Sequence, residues 1–124
     1  MPRGSYVLTP MAEEHLAELA AFSLAHWGEA MTDKYLADLH EAAEQLAMHH
    51  RRHAPRPELS GDTGLPVYPA REHYIVYEPI GKNRIAIAAI IRQSRDVPAM
   101  LGRWSWQIRE ALKQARKWDE AGEQ

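Results

Sequence analysis

The sequence predicts an α+β fold: an N-terminal strand, an antiparallel helical hairpin packed on an antiparallel β-sheet, and an extra C-terminal amphipathic helix. Two observations predict it. Apolar residues recur at spacings of three and four over residues 10–47 and again after Pro98, which is typical of amphipathic helices. Between these segments, residues 66–92 alternate with a period of two, which is typical of strands.

The first strand and the first helix meet at Thr9. The segment "SYVLT" (residues 5–9) has a strand-like composition, and Thr9 followed by Pro10 is an N-cap residue followed by proline at the first helical position. The helix is predicted to end near Gly28. Its buried face is formed by Leu16, Leu19, Ser23, His26 and Trp27. We expect Trp27 to lie in the core and to close the hairpin.

A second helix follows Gly28 almost at once. Its predicted buried face consists of Tyr35, Leu36, Leu39, Ala42, Ala43 and Leu46. Since one glycine joins the two helices, they bury both faces only by folding back as an antiparallel hairpin. The stretch from His49 to Leu65 contains prolines, glycines and three histidines without a period, and it predicts a helix end and an exposed loop.

Three strands are predicted after this loop. "LPVYPA" (65–70) is flanked by prolines, as an edge strand is, and "HYIVYEP" (73–79) alternates. "RIAIAAII" (84–91) is the strongest strand signal. Strict alternation puts its larger residues on a face toward the hairpin, namely Ile85, Ile87 and Ile91. The opposite face, shallow and ending in a cation, then carries Ala86, Ala88, Ile90 and Arg92.

The C-terminal helix is predicted to be amphipathic. Its apolar face carries Leu101, Trp104, Ile108, Leu112, Ala115 and Trp118. Its basic face carries Arg103, Arg109, Lys113, Arg116 and Lys117. The apolar face is expected to pack on the rest of the domain or on a second copy of it.

Length and composition limit the classes of function. The 124 residues suit one domain, residues 1–124, with a core at about 5–101 and a helical extension at about 102–120. The net charge of -2 and a pI near 6.4 argue against broad electrostatic capture of nucleic acid. The absence of cysteine excludes disulfides, thiolate zinc sites and thiol catalysis. No apolar stretch is long enough to span a membrane and the N-terminus lacks a signal-peptide pattern, so we expect a cytoplasmic protein.

Two phrases of the sequence resemble the RelE/ParE toxin superfamily of bacterial type II toxin-antitoxin systems, and its ParE branch in particular. Residues 6–47, "YVLTPMAEEHLAELAAFSLAHWGEAMTDKYLADLHEAAEQLA", are similar to the first strand and helices of the family. Residues 66–101, "PVYPAREHYIVYEPIGKNRIAIAAIIRQSRDVPAML", are similar to its three later strands, including an arginine-aspartate signature at Arg95-Asp96. The resemblance covers about four-fifths of the chain.

The resemblance implies a toxin fold that a cognate antitoxin covers. ParE-type toxins inhibit DNA gyrase by binding and stabilise its cleaved-DNA complex, and a ParD-like antitoxin of ribbon-helix-helix type neutralises them. The implied class is therefore a growth-inhibiting toxin, of the kind that stabilises plasmids, in a homodimer or a toxin-antitoxin hetero-oligomer. RelE-type toxins of the same fold are ribosome-dependent endoribonucleases, and a third alternative is an inactive protein that only binds the antitoxin.

This sequence departs from the family pattern at three places. Arg92 stands where the family often has histidine, the loop from His49 to Leu65 is long, and the helix after Leu101 extends past the usual end. The missing imidazole favours binding over catalysis, so no catalytic residue is assigned to a gyrase inhibitor. Were the protein a ribonuclease, His73 would be the base, with arginines as phosphate ligands at Arg71, Arg92 and Arg95.

The candidate residues for binding a target or partner are arginines and the apolar face of the last helix. They are Arg71, Arg92, Arg95, Trp104, Ile108 and Leu112. An ion pair of Arg95 with Asp96, or with an acidic residue of a helix, that fixes the strand end is at least as good an interpretation. The last helix either packs on the domain, as above, or occupies or borders the antitoxin groove, with its basic face meeting an acidic antitoxin segment.

No metal or other cofactor is expected. His49 and His53 are four residues apart, a spacing that places two imidazoles on one helix face, and His50 lies beside them. A zinc site needs a third ligand, and the sequence does not identify one. Basic side chains at a helix C-terminus are also favoured by the helix dipole, which explains these histidines without a metal.

Overall fold

The computed structural model of the chain describes residues 4–122. The elements follow in the order β1 (Ser5–Leu8), α1 (Pro10–Trp27), α2 (Glu29–His49), α3 (Pro57–Ser60), β2 (Val67–Ala70), β3 (His73–Gly81), β4 (Arg84–Arg92) and α4 (Val97–Gly122). Two 3₁₀ turns, His50–Arg52 and Gly61–Thr63, flank α3. The predicted loop between α2 and β2 is therefore partly helical. None of the helices in the described part of the chain is long and apolar enough to cross a membrane.

The four strands form one sheet in the order β1-β4-β3-β2. The strands β2, β3 and β4 are antiparallel to their neighbours, and β1 lies parallel to β4. The predicted α+β fold is confirmed, with the refinement that the N-terminal strand makes the sheet mixed. The short strand β2, which contains Pro69, lies at the edge, as the flanking prolines predicted.

The predicted start and end of α1 are both confirmed. The Thr9 side chain accepts a hydrogen bond from the Ala12 amide at 3.2 Å, and Pro10 occupies the first turn. At the other end, Gly28 has a φ of 85°, a left-handed value that glycine adopts without strain, and α2 begins at the next residue. This single residue reverses the chain. The Thr32 hydroxyl then joins the two helices by donating to Ser23 at 2.9 Å.

A β-bulge in β4 changes which face its residues occupy. Val76 of β3 pairs with Ala89, but the next residue, Tyr77, pairs with Ile87, so Ala88 is an extra residue on β4. Beyond the bulge the alternation is inverted. Ile90 packs with the hairpin cluster, whereas Ile91 lies in the cluster on the opposite side of the sheet. The predicted faces of Ile90, Ile91 and Arg92 are therefore wrong, because strict alternation assumes an unbroken ladder.

Each face of the sheet is covered by helices. On one face the hairpin α1–α2 buries a cluster that includes Leu39, Leu46, Ile75, Ile85 and Ile87. On the other face α4 buries a second cluster that includes Val76, Ala86, Ala88, Leu101 and Ile108. The small alanine side chains leave room for the larger residues of α4 to approach the sheet. The alanine face of β4 is thus part of the core.

Candidate functional site

The candidate site lies where β3 begins and β4 ends, beside the end of the helical hairpin. Arg92 is the last residue of β4 and is paired across the ladder with His73, the first residue of β3. The His73 side chain lies on the hairpin face, and because of the bulge in β4 the Arg92 side chain lies on that face too. The Arg92 guanidinium lies 5.3 Å from the centre of the Phe22 ring on α1, within the range of a cation–π contact. The bulge therefore directs Arg92 toward the hairpin.

Arg71 belongs to the two-residue turn between β2 and β3, which the pair Ala70–His73 closes. Its φ is 58°, and among the described residues it is the one non-glycine residue with a positive φ. Its guanidinium forms an ion pair with Asp38 of α2 at 3.2 Å and lies 5.7 Å from the Tyr35 ring centre. The side chain is about half exposed. Left-handed backbone is costly for a residue with a Cβ, so the contacts of Arg71 hold a strained turn.

Two side chains hold this turn in place. The Tyr35 hydroxyl accepts a hydrogen bond from the Glu72 amide at 3.3 Å and lies 2.6 Å from Nδ1 of His73. From the other side, the Gln93 side-chain amide donates to the carbonyl oxygens of Arg71 and His73, at 3.0 and 3.1 Å. The turn is therefore fixed both to α2 and to the residue that follows β4.

His73 is buried, with 9% of its surface exposed. Burial, and next the charge of Arg92, lower the pKa of this imidazole, while burial raises the pKa of the Tyr35 phenol. Both groups are therefore uncharged at neutral pH. The Tyr35 hydroxyl already accepts from the Glu72 amide, so we assign its single proton to the bond with Nδ1, and the proton of the neutral imidazole then lies on Nε2. In this state His73 presents a hydrogen-bond donor, and a role as a base requires breaking its bond to Tyr35.

Of the predicted site residues, the structure brings Arg71, Arg92 and His73 together and separates Arg95 from them. The Arg95 amide donates to the Arg92 carbonyl in the turn after β4, and its side chain is exposed. The predicted Arg95–Asp96 ion pair is not formed, and among residues 4–119, whose side chains the structure describes, Arg95 has no ion pair. Asp96 instead accepts from the Ala99 amide at 3.3 Å and caps α4.

The three apolar candidates on α4 pack on the domain. Ile108 and Leu112 are 0% and 3% exposed against the sheet, and the half-buried Trp104 lies against the His15 ring, with 5.6 Å between centres. Ion pairs from Arg116 to Glu78 and from Asp119 to Arg84 also fix α4 to the strands. In the isolated chain, α4 therefore packs on the domain, which was the first of the two alternatives for this helix.

The sequence analysis missed the exposed apolar residues at the end of the hairpin. Phe22, Leu24, Trp27 and Met31 are 45%, 55%, 65% and 56% exposed. The prediction that Trp27 lies in the core is wrong, because neither the sheet nor α2 covers the last turn of α1. Helical periodicity identifies a face but does not reveal where the layer that covers it ends. Tyr35 was assigned to the core, and nothing in its spacing indicated a role in the turn.

Two of the three histidines of the long loop, His50 and His53, have contacts within the protein. Nε2 of His50 donates to the carbonyl oxygens of Gly81 and Lys82, at 3.1 and 3.0 Å, and so supports the β3–β4 turn. The ring of His53 lies 4.7 Å from that of Tyr68. In the part of the chain that the structure describes, no group of three or more potential ligands is arranged to hold a metal ion.

Comparisons with known proteins agree on one family. Toxin ParE1 of Mycobacterium tuberculosis, from strains CDC 1551 / Oshkosh and ATCC 25618 / H37Rv, is 28% identical over 95 residues, which cover 74% of this chain and 92% of the relative. A solved structure described as the chromosomal ParDE TA system from P. aeruginosa shares the fold, with a TM-score of 0.59 and 21% identity over 72% of this chain and 95% of the other.

The family match also has a definite extent. Residues 6–97 match the ParE toxin of the type II toxin-antitoxin system parDE, so the match covers the hairpin, all four strands and the candidate site, and it stops where α4 begins. This match spans most of the chain and includes Arg71, His73 and Arg92. The chain therefore belongs to the ParE toxin family of type II toxin-antitoxin systems.

Proposed function

We propose that this toxin acts by binding DNA gyrase, without a chemical step of its own, and that a ParD-like antitoxin of ribbon-helix-helix type neutralises it in the cytoplasm. One observation carries the proposal. Arg71 and Arg92 are held against the rings of Tyr35 and Phe22, beside apolar side chains that are exposed. Arginine and aromatic residues dominate the binding energy of protein interfaces, so this end of the molecule has the composition of a binding surface.

The state of His73 supports binding in preference to catalysis. Its Nδ1 is engaged by Tyr35, its pKa is lowered by burial, and only 9% of the residue's surface is exposed. A ribonuclease needs a base that reaches the 2'-hydroxyl of its substrate and an acid that protonates the leaving oxygen. A binding protein needs neither group. It requires only a surface that recognises one state of the target more tightly than the others.

Purified gyrase tests this function directly. We expect the wild-type protein to inhibit supercoiling and to increase the cleaved-DNA complex, and Arg92→Ala to weaken both effects by roughly tenfold or more. Lys82→Ala is the matched control, because Lys82 is an exposed cation in the β3–β4 turn, at the opposite end of the same strands. If a folded Arg92→Ala protein inhibited gyrase as strongly as the wild type, Arg92 would not be part of the proposed binding surface.

The second candidate function is a RelE-like ribosome-dependent ribonuclease. The observation in its favour is that His73, Arg71 and Arg92 surround Tyr35, as a phosphate-binding site with a nearby imidazole requires. Mapping mRNA ends in a translating extract distinguishes the two functions. Ribosome-dependent cuts with unaffected gyrase would overturn gyrase inhibition, and inactivity in both assays would leave a protein that only binds its antitoxin.

A further inference from the structure

Three hydrogen-bond donors surround Tyr35 at the end of the sheet. The Arg71 guanidinium lies over its ring, and the Tyr35 hydroxyl is bonded to His73. Arg92 is the cross-strand neighbour of His73 on the same face, where paired side chains stand about 5 Å apart. Both arginine charges act on the Tyr35 phenol and lower its pKa against the larger effect of burial. The two guanidinium groups therefore belong to one cluster.

Among residues 4–119, whose side chains the structure describes, Nε2 of His73 has no hydrogen-bond partner. Among these residues, no buried side-chain nitrogen or oxygen lacks a hydrogen bond, so the unbonded Nε2 must reach solvent. The residue as a whole is 9% exposed. With the tautomer assigned above, Nε2 carries the proton and offers its N–H group to solvent.

The backbone of Arg71 is strained, although a glycine at the same position of the turn would not be. A two-residue hairpin turn with a positive φ at its first position favours glycine, which adopts that conformation freely. Here the position is arginine, and Tyr35, Gln93 and Asp38 hold it in place. Strained non-glycine residues that are fixed from several sides are concentrated at binding sites.

We infer that Arg71, Arg92 and the Nε2–H group of His73 form an oxyanion site that binds the carboxylate of an acidic side chain on the partner protein. Tyr35 is the positioning residue of this site, because its hydroxyl fixes both the His73 tautomer and the Arg71 turn. The identity of the partner as gyrase or antitoxin rests on the proposed function. The site itself does not.

A carboxylate fits the surroundings better than a phosphate does. Arg71 already binds one carboxylate, that of Asp38, in the geometry of an ion pair. Asp38 and Glu72 place two negative charges beside the cluster, which disfavours a dianion more than a monoanion. The exposed ring of Phe22 lies against Arg92 at the edge of the site. A protein surface with an acidic residue among apolar ones is complementary to this arrangement.

The test uses the full chain and sodium acetate as the probe. Nuclear magnetic resonance follows the side-chain N–H signals of Arg71 and Arg92 and the ring nitrogens of His73, with sodium chloride keeping the ionic strength constant. We expect saturable shifts, with a dissociation constant on the order of millimolar for so small a ligand. Shifts that rise linearly without saturation would overturn the site. Inorganic phosphate is titrated in parallel, and tighter binding of phosphate than of acetate would overturn the choice of a carboxylate.

Four variants test the assignment of residues. Arg92→Ala and Arg71→Gly each remove a guanidinium and should weaken acetate binding by roughly tenfold or more, whereas Lys82→Ala should leave it unchanged. Asp38→Asn should strengthen acetate binding, because it frees Arg71 from its internal partner. A loss of structure does not produce such a gain. Unchanged binding in Asp38→Asn and in both arginine variants would contradict the proposal.

Tyr35→Phe separates positioning from packing. The variant keeps the ring but loses the hydroxyl, so we expect weaker acetate binding together with ring-nitrogen shifts of His73 that report a mixture of tautomers. If the tautomer of His73 were the same in Tyr35→Phe as in the wild type, Tyr35 would not be the residue that positions it. Because acetate binding is measured on the toxin alone, it can succeed while gyrase inhibition fails. Failure of the site and failure of the proposed function are therefore distinguishable.

Discussion

Arg71 combines a left-handed backbone with a side chain that the proposed site needs. Replacing it by glycine and by alanine removes the same ion pair to Asp38 and the same contact with Tyr35. Only alanine keeps a Cβ in the left-handed region. We therefore expect Arg71→Gly to be more stable than Arg71→Ala by about 1 kcal/mol. Urea denaturation measures the difference, and equal stabilities would show that the turn is not strained.

His73 predicts a pH dependence of stability. Its pKa is lowered from 6.5 by burial and by Arg92, against the opposing charge of Glu72. Above about pH 6.5 the imidazole is neutral in the folded and unfolded states, and the full stability is present. As the pH falls below that value, the unfolded chain binds the proton first, so stability is lost as the pH approaches and passes the folded pKa.

The measurement is the free energy of unfolding between pH 7.5 and 5, in wild type and in His73→Gln. Burial also lowers the pKa values of His15 and His53, so the wild type contains three contributions of the same sign. The difference between the two proteins isolates His73. We expect the wild type to lose stability more steeply than the variant on acidification. Parallel curves would contradict the lowered pKa of His73.

At the scale of single residues, the sequence predicted the charged members of the site but not their support. Arg71, Arg92 and His73 were identified because they lie on adjacent predicted strands and because arginine is a common anchor of protein interfaces. Tyr35 and Phe22 were not, because an aromatic residue at helical spacing fits the core equally well. The error at Trp27 has the same origin. Residue type and spacing do not determine where a helix extends beyond its covering layer.

Thr9 joins the start of α1 to the bulge of β4. Its hydroxyl accepts from the Ala12 amide and donates to the carbonyl of Ala88, the extra residue of the bulge, at 2.9 Å, in a position that is 1% exposed. Thr9→Val keeps the shape but loses both bonds. We expect a loss of about 2–3 kcal/mol in the free energy of unfolding.

Thr9→Ser is the matched control, because it keeps the hydroxyl and loses one buried methyl group, at a cost of about 1 kcal/mol. Urea denaturation measures both variants. A Thr9→Val protein as stable as Thr9→Ser would show that neither bond matters. The signals of Arg92 and Phe22 should also move in Thr9→Val, because the bulge directs Arg92 toward Phe22.

At the scale of elements, the sequence predicted the order of the main strands and helices and most of their ends. Local signals are sufficient there: Thr9-Pro10 starts α1, and Gly28 ends it. The bulge was not predictable, because it depends on the pairing of β3 with β4 over a long sequence separation. Its effect is large, since one extra residue moves Arg92 to the hairpin face. The short helix α3 was also missed within the proline-rich loop.

The whole molecule has two helical layers on one sheet. The fold class was predictable because the two periods, 3.6 and 2, are clear in successive segments. That α4 covers the alanine face of β4 did not follow from its amphipathic pattern, which fits packing on the domain, on a second copy or on a partner. The family match ends at residue 97, so it contains no information about this layer. Only tertiary contacts identify what the helix covers.

The two layers should contribute to stability independently. Leu46 belongs to the hairpin cluster and Ile108 to the α4 cluster, each at most 1% exposed, with the sheet between them. We expect Leu46→Ala to cost about 2–5 kcal/mol and Ile108→Val about 0.5–1.5 kcal/mol. In the double variant the two costs should add to within about 0.5 kcal/mol, because the residues share no contact across the sheet.

Leu112→Ala with Ile108→Val is the control pair. These residues are one turn apart on α4 and lie in the same cluster, so their effects should couple by about 0.5 kcal/mol or more. Urea denaturation of the single and double variants gives both coupling energies. Coupling across the sheet as large as that within α4 would mean that the sheet transmits changes between its faces. If the costs add as expected, Ile108→Val should leave acetate binding at Arg71 and Arg92 unchanged, because the residues of that site lie in the β2–β3 turn and on the hairpin face of the sheet, away from Ile108.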